Sequence, residues 1–241
     1  MKKFTILVID SDVEPIYKLG REIWRINAAK HGVEIFFLRA TKDINDDSII
    51  VSQDVIYSKW VDDLEGRLID KTLKGFNHVL KSEDQQYILR TNLSSFFNLE
   101  LFIAFISILP DSNIYAGSIE TIKLEMPDKI KRGVNFCSGS GFILSRDIAS
   151  LVLDRERSCP RDLLDDVWMS LVLIDIQRLG FQRCNLTNLK QINASSIMAM
   201  NQNIEHAISE NCFQYRIKNE GQASREQLDT PAWVALATRF L

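Results

Sequence analysis

Two adjacent acids, Asp165-Asp166, are the strongest candidates for chemistry in this chain, because a positioned carboxylate can take a proton from an attacking group. They also stand at the start of an apolar run, where acids complement the dipole of a helix N-terminus. A second acidic pair, in Asp10-Ser11-Asp12, ends an apolar run. It reads either as oxygen ligands for a hard cation such as Mg²⁺ or as a loop that turns the chain and caps the next helix. Ser138-Gly139-Ser140-Gly141 reads either as backbone that lets a ligand approach closely or as a tight turn before a strand. It has neither the GxxxxGK[ST] of a phosphate loop nor the GxGxxG spacing of a dinucleotide fold. Arg90-Thr91-Asn92 ends a short strand, and α/β proteins bind ligands outside the carboxyl ends of their strands. Tyr215-Arg216-Ile217-Lys218 puts two cations at i and i+2, on one face of a strand. Those cations, with Arg225 shortly after, suit an anionic leaving group or a solvated sheet edge.

The elements that must position these groups read as α/β. Phe4 to Ile9 is a continuous apolar run, the mark of a strand covered on both faces. Pro15 opens a helix carrying Ile16, Leu19, Ile23, Trp24 and Ile26, and Gly32 stops it. Val33 to Leu38 is a second strand, so the chain opens β-α-β, a unit that favours parallel strands. Residues 41–48 are a polar loop, and Ile49 to Val55 reads as one strand. A helix is expected over Gly66 to Leu80, then a strand from Tyr87, then a helix over 99–109 capped by Asn98. Residues 113–144 read as short strands and loops. Ser145 is expected to cap a helix to about Leu153, and Asp162 another running to Gly180. Phe213 to Ile217 is extended and 231–240 helical. No repeat and no linker is evident, which gives a single domain over 1–241.

Composition narrows the partners. The 241 residues are 46% hydrophobic and 25% charged, with 29 basic and 32 acidic residues, a net charge of −3. Interspersed signs and slight acidity give no nucleic-acid footprint. The longest uncharged apolar stretch, Leu101 to Pro110, is far short of the ~20 residues a membrane helix needs, and no leader is evident, so a cytoplasmic protein is expected. Cys137, Cys159, Cys184 and Cys212 form no CxxC pair and read as free thiols. His31, His78 and His206 lack zinc spacing. Trp60 and Trp233 could stack on a sugar or base, but aromatics of this kind more often fill cores.

Two segments resemble the beta-1,3-galactosyltransferase/Fringe-like glycosyltransferases. Leu68 to Thr72 reads LIDKT and Tyr87 to Asn98 reads YILRTNLSSFFN, against the family's n-L-x-x-K-T helix and Y-x-l-K-x-D-D-D-x-F-x-N strand. Phe136 to Asp147 reads FCSGSGFILSRD, against Y-x-S-G-x-G-Y-x-x-S-x-D, and Asp165-Asp166-Val167 stands for E-D-V. The resemblance implies a single GT-A-like, Rossmann-like domain with a mostly parallel mixed sheet flanked by helices. It implies a nucleotide-sugar-binding half (1–110) and an acceptor-binding half (111–241). Asp166 would be the catalytic base of inverting hexosyl transfer, with Asp165 beside it. Lys71 would lie near the nucleotide or on the helix surface.

The chain departs from that family at the aspartate triplet, which binds a divalent metal. Asn92-Leu93-Ser94 stands there, and neutral oxygens hold Mg²⁺ or Mn²⁺ far less well than carboxylates. Asn92 and Ser94 are therefore expected to line the donor pocket without carrying a metal in the family's way, and basic side chains such as Arg216 and Lys218 are expected on the diphosphate. The functional expectation is transfer of a hexose from a nucleotide-sugar, a UDP-sugar, to a glycan or other hydroxyl acceptor, with or without Mn²⁺ or Mg²⁺. Two other readings stay open: an inactive relative that binds a glycan or nucleotide, and a nucleotidyltransferase with Mg²⁺ on Asp10 and Asp12. The oligomeric state is not legible.

Overall fold

The structure, a computed structural model, describes residues 2–11, 14–59, 68–125, 131–157, 163–186, 204, 208, 212–218 and 225–241. Strand β1 (Phe4–Ile9) runs into helix α1 (Ile16–His31), which Gly32 ends at φ 62° with its N–H turned back to the last carbonyls. The chain returns as β2 (Glu34–Thr41), parallel to β1. Ile6 and Val8 pack into one core and Leu7 into another, which is why the β1 run is apolar at every position.

Where the sequence reads as one strand over 49–55, the chain folds back. β3 (Ile49–Ser52) and β4 (Val55–Lys59) pair antiparallel across Gln53, whose φ is 55°. Nothing in the apolar pattern marks that reversal. Helix α2 (Leu68–Val79) then leads to β5 (Tyr87–Asn92), parallel to β1, and on to β6 (Ser95–Phe97). Asn98 caps α3 (Leu99–Ser107) as expected, its side chain accepting from the Leu101 N–H.

Residues 113–144 differ most from expectation. They form two long antiparallel strands, β7 (Tyr115–Glu125) and β8 (Lys131–Ser145), in place of short strands and loops. Ser145 precedes α4 (Arg146–Asp154) but does not cap it with its side chain; its Oγ accepts from the Ile114 N–H at 2.8 Å. The helix expected up to Gly180 is shorter: α5 spans Asp165–Val172 behind Leu164, and Gly180 belongs to β9 (Arg178–Gly180), which pairs with β7. Asp162 lies outside the described residues. β10 (Cys184–Asn185), β11 (Gln214–Arg216) and α6 (Arg225–Phe240) complete the elements described.

The main sheet has the order β3-β4-β2-β1-β5-β8-β7-β9, and a small sheet has the order β10-β11-β6. The joins β4-β2, β2-β1, β1-β5 and β7-β9 are parallel, so the sheet is mixed and mainly parallel. One face carries Trp24, Phe96, Phe97, Phe102, Tyr215 and Trp233; the other carries Phe76, Phe142, Trp168 and Met169. Trp233, Phe37, Phe96, Phe97 and Phe102 are thus core residues, Phe36 is half-buried, and Trp60 lies outside the described residues. Among the described residues no helix is long and apolar enough to cross a membrane. Cys137, Cys184 and Cys212 are buried, and none forms a disulfide with another of the three.

Candidate active site

The site grows from an irregularity in β8. Between the pairs Ile119–Cys137 and Gly117–Phe142, β7 advances by two residues and β8 by five. Ser138 to Gly141 therefore bulge from the ladder beside Thr91, at the carboxyl end of β5. They lie within a long strand, not in a turn. The Gly139 N–H donates to Asp166 Oδ2 at 2.7 Å, and its carbonyl accepts from Arg90 Nη1 and from Asn92 Nδ2 (2.8 Å). Thr91 Oγ1 donates to the Ser140 carbonyl at 2.8 Å. A Cβ on Gly139 would stand 2.9 Å from Arg90 Nη1 and 3.0 Å from Asp166 Oδ2, so any side chain there must displace one of those two groups. Gly139→Ala is expected to lower stability by about 1–3 kcal/mol through overpacking. The check is the urea midpoint, and an unchanged midpoint would show that the two side chains yield freely.

Asp165 and Asp166 open α5 side by side but meet different environments. Asp165 is ion-paired with Arg90, both side chains almost wholly buried, and accepts from Thr72 Oγ1 at 3.0 Å. Asp166 has no cation within ion-pair distance among the described residues; it accepts from the Gly139 and Val167 N–H groups. Burial, and next the charge of Asp165, raise its pKa to about 6, against the opposing pull of Arg90 and the two amides. One acid is thereby held in a buried pair with Arg90. The other is left poised near neutrality.

A second group lies at the ends of β1 and β2. Asp10, buried, accepts from Arg21 Nη1 at 2.8 Å and from Arg39 Nε at 3.0 Å. It does not cap α1, where Pro15 takes the N-cap position with no side-chain bond. Ser11 is half-buried, with its carbonyl near Arg21, and Asp12 lies outside the described residues. Lys71 is not on the helix surface: it is buried on α2, with Nζ donating to the Asp10 carbonyl at 3.2 Å. Burial, with Arg39 and Arg90 nearby, lowers its pKa to about 8, although Asp10 and Asp165 pull the other way.

The third group joins the two sheets. Asn92 Oδ1 accepts from the Ser94 N–H (3.0 Å), the Ser95 hydroxyl (3.3 Å) and Arg216 Nη1 (2.7 Å). Buried Ser94 also accepts the Ile217 N–H at its carbonyl, which ties the loop after β5 to the end of β11. β11 is the middle strand of its sheet, so Arg216 does not mark an edge. Burial, then the charges of Arg183, Arg225 and Arg90, lower the Arg216 pKa to about 10. Lys218 stands two residues past β11 and is half-buried. Arg183, which no pattern in the sequence singles out, donates to Ser138 Oγ (2.9 Å) and Ser140 Oγ (2.7 Å) and pairs with Glu120. Gln214 Nε2 donates to Ser140 Oγ as well, at 3.0 Å. Arg39 and Arg21 are equally unmarked, although Arg39, near the carboxyl end of a parallel strand, has a positional cue like that of Arg90; Thr72 is the threonine of the LIDKT segment, whose resemblance did not mark its bond to Asp165.

The described residues at positions 10 and 92–94 do not fit a divalent metal. The Asn92 oxygen is taken by three donors, Leu93 and Ser94 offer no carboxylate, and both Asp10 oxygens are held by guanidinium groups. Among the described residues no cluster of three or more His, Cys, Asp or Glu could hold a metal ion.

The architecture has solved counterparts. A glycosyltransferase involved in the glycosylation of the major capsid of PBCV-1 overlays with a TM-score of 0.55 at 13% identity, over 96% of this chain and 99% of that one. The fold is GT-A-like. The catalytic domain of Drosophila beta1,4-galactosyltransferase 7 in complex with xylobiose overlays at 0.45 and 12% identity, over 95% and 80% of the two chains. A 4-diphosphocytidyl-2C-methyl-D-erythritol synthase from Anaerococcus prevotii gives 0.45 and 10%, over 75% and 88%. No protein-family model and no curated protein matches the sequence.

Proposed function

We propose that this chain is an inverting glycosyltransferase, related to the beta-1,3-galactosyltransferase/Fringe-like enzymes, that moves a hexose from a UDP-sugar to a hydroxyl of a glycan acceptor. The observation that carries this reading is the unlike pair on α5: Asp166, without an ion-pair partner among the described residues, beside a network that ends at cationic Arg216. In the reaction the acceptor oxygen attacks the anomeric carbon, its proton passes to Asp166, and the bond from that carbon to the diphosphate oxygen breaks. A single displacement inverts the anomeric centre. A base with a pKa near 6 is ionised at neutral pH and still basic enough to share the proton. The GT-A-like fold supports the reading, and so does the glycosyl transfer performed by the PBCV-1 protein.

A panel of UDP-hexoses and small glycan acceptors, assayed for UDP release and product, tests it. Acceptor-dependent release with an inverted anomeric configuration is expected; retained configuration would remove Asp166 from the role of base. A second reading, binding without turnover, draws on the neutral residues at 92–94. It predicts UDP binding with no release for any donor.

A further inference from the structure

We infer that Arg216 is a built-in cation for the donor's diphosphate, standing where related enzymes use a divalent metal. The inference rests on the proposed nucleotide-sugar reading and deepens it. Its first ground is the misfit just described: the side chain at position 92 is an amide whose oxygen is already occupied, and one of its occupants is Arg216 Nη1 at 2.7 Å. The positive charge next to position 92 is therefore supplied by the chain itself.

The second ground is an imbalance of charge. Arg90 pairs with Asp165, Arg183 with Glu120, and Arg225 with Asp229. Arg216 lies close enough to all three guanidinium groups for each to lower its pKa, yet among the described residues it faces no carboxylate; Nη1 donates only to Asn92 and to Ser95 Oγ. A largely buried, uncompensated cation is costly unless something anionic completes it. Its Nε and Nη2 make no hydrogen bond among the described residues and are not sealed from solvent. They form the open side of a planar fork, which matches two oxygens of a phosphate. Asn92 and Ser95 hold the other side, so the fork is oriented before a ligand arrives.

The ligand class that follows is a nucleoside diphosphate bound without metal. Titration calorimetry of UDP into the full chain, in EDTA and again in Mn²⁺, tests this with Arg216→Ala and Arg216→Gln beside the wild type. Glutamine keeps an N–H donor for Asn92 but carries no charge, so it separates lost charge from lost structure if the alanine variant fails to fold. Wild-type affinity equal in EDTA and Mn²⁺, with a loss of about 10- to 100-fold in Arg216→Gln, is the expected result. UDP binding by the wild type only with Mn²⁺ would overturn the inference and leave the nucleotide-sugar reading standing. Unchanged affinity in Arg216→Gln would do the same. Inorganic pyrophosphate is titrated in parallel; affinity equal to that of UDP would mean an anion site without nucleoside recognition, which also overturns it. No binding of UDP in either condition would defeat both readings together.

Discussion

Asp166→Asn is expected to lower glycosyl transfer by about 10²- to 10⁴-fold while leaving UDP affinity unchanged. The amide keeps the shape of the side chain and can still accept from Gly139 or Val167, but it cannot take a proton. The wild-type rate should fall tenfold per pH unit below about 6, where Asp166 becomes protonated, and stay flat above it. Stability should move the other way. A carboxyl whose folded pKa lies above its unfolded value contributes stability that is present below the unfolded value and lost as the pH rises through about 6. At pH 8 the ionised group is thus a liability of order 1–3 kcal/mol, and the neutral variant should melt above the wild type. Near pH 4 the two should be level. Wild-type rates in the variant would exclude Asp166 as the base, and a melting point below wild type at pH 8 would exclude the strained carboxylate.

Arg90→Met should be the most destabilising of the substitutions considered, by about 3–5 kcal/mol, because it strands a buried carboxylate. Asp165 would keep Thr72 but lose its cation, and the Gly139 carbonyl would lose one of two donors. For a chain of this length each kcal/mol lowers Tm by about 2–4 °C, so a fall on the order of 10 °C is expected. Removing the partner as well, in Arg90→Met with Asp165→Leu, should recover much of the loss, since apolar residues can replace a buried pair at little cost. Thermal unfolding of the two single variants and the double variant gives the coupling directly. A loss below 1 kcal/mol in Arg90→Met would show that water reaches Asp165 and that the pair is not a buried clamp.

The two acids illustrate how much of the site can be read along the chain and where that reading stops. Their position at a helix start follows from residue order, because helix termini are local and acids favour them. Their division of labour does not. Arg90 lies 75 residues from Asp165, and Gly139 lies 27 from Asp166, so the difference between a locked and a poised carboxylate exists only after β5, β8 and α5 have packed. Lys71 makes the same point. Its spacing on α2 is compatible with the surface, and its burial comes only with the fold, which brings Nζ to the Asp10 carbonyl just past β1.

Residue order is enough to set the β-α-β opening, the Gly32 and Asn98 helix boundaries, the strand ending at Asn92 and the acids at 165–166. Each rests on apolar period or on backbone groups satisfied within a few residues. Tertiary structure alone decided the reversal at Gln53, the length of β7 and β8 and the bulge at Ser138 to Gly141, since strand pairing and register depend on partners distant in the chain. It also decided the cationic end of the site. Arg216 reaches Asn92 across 124 residues, and Arg183 reaches the bulge serines across more than 40. Electrostatic partners are chosen by proximity in space, and no periodicity along the chain encodes that.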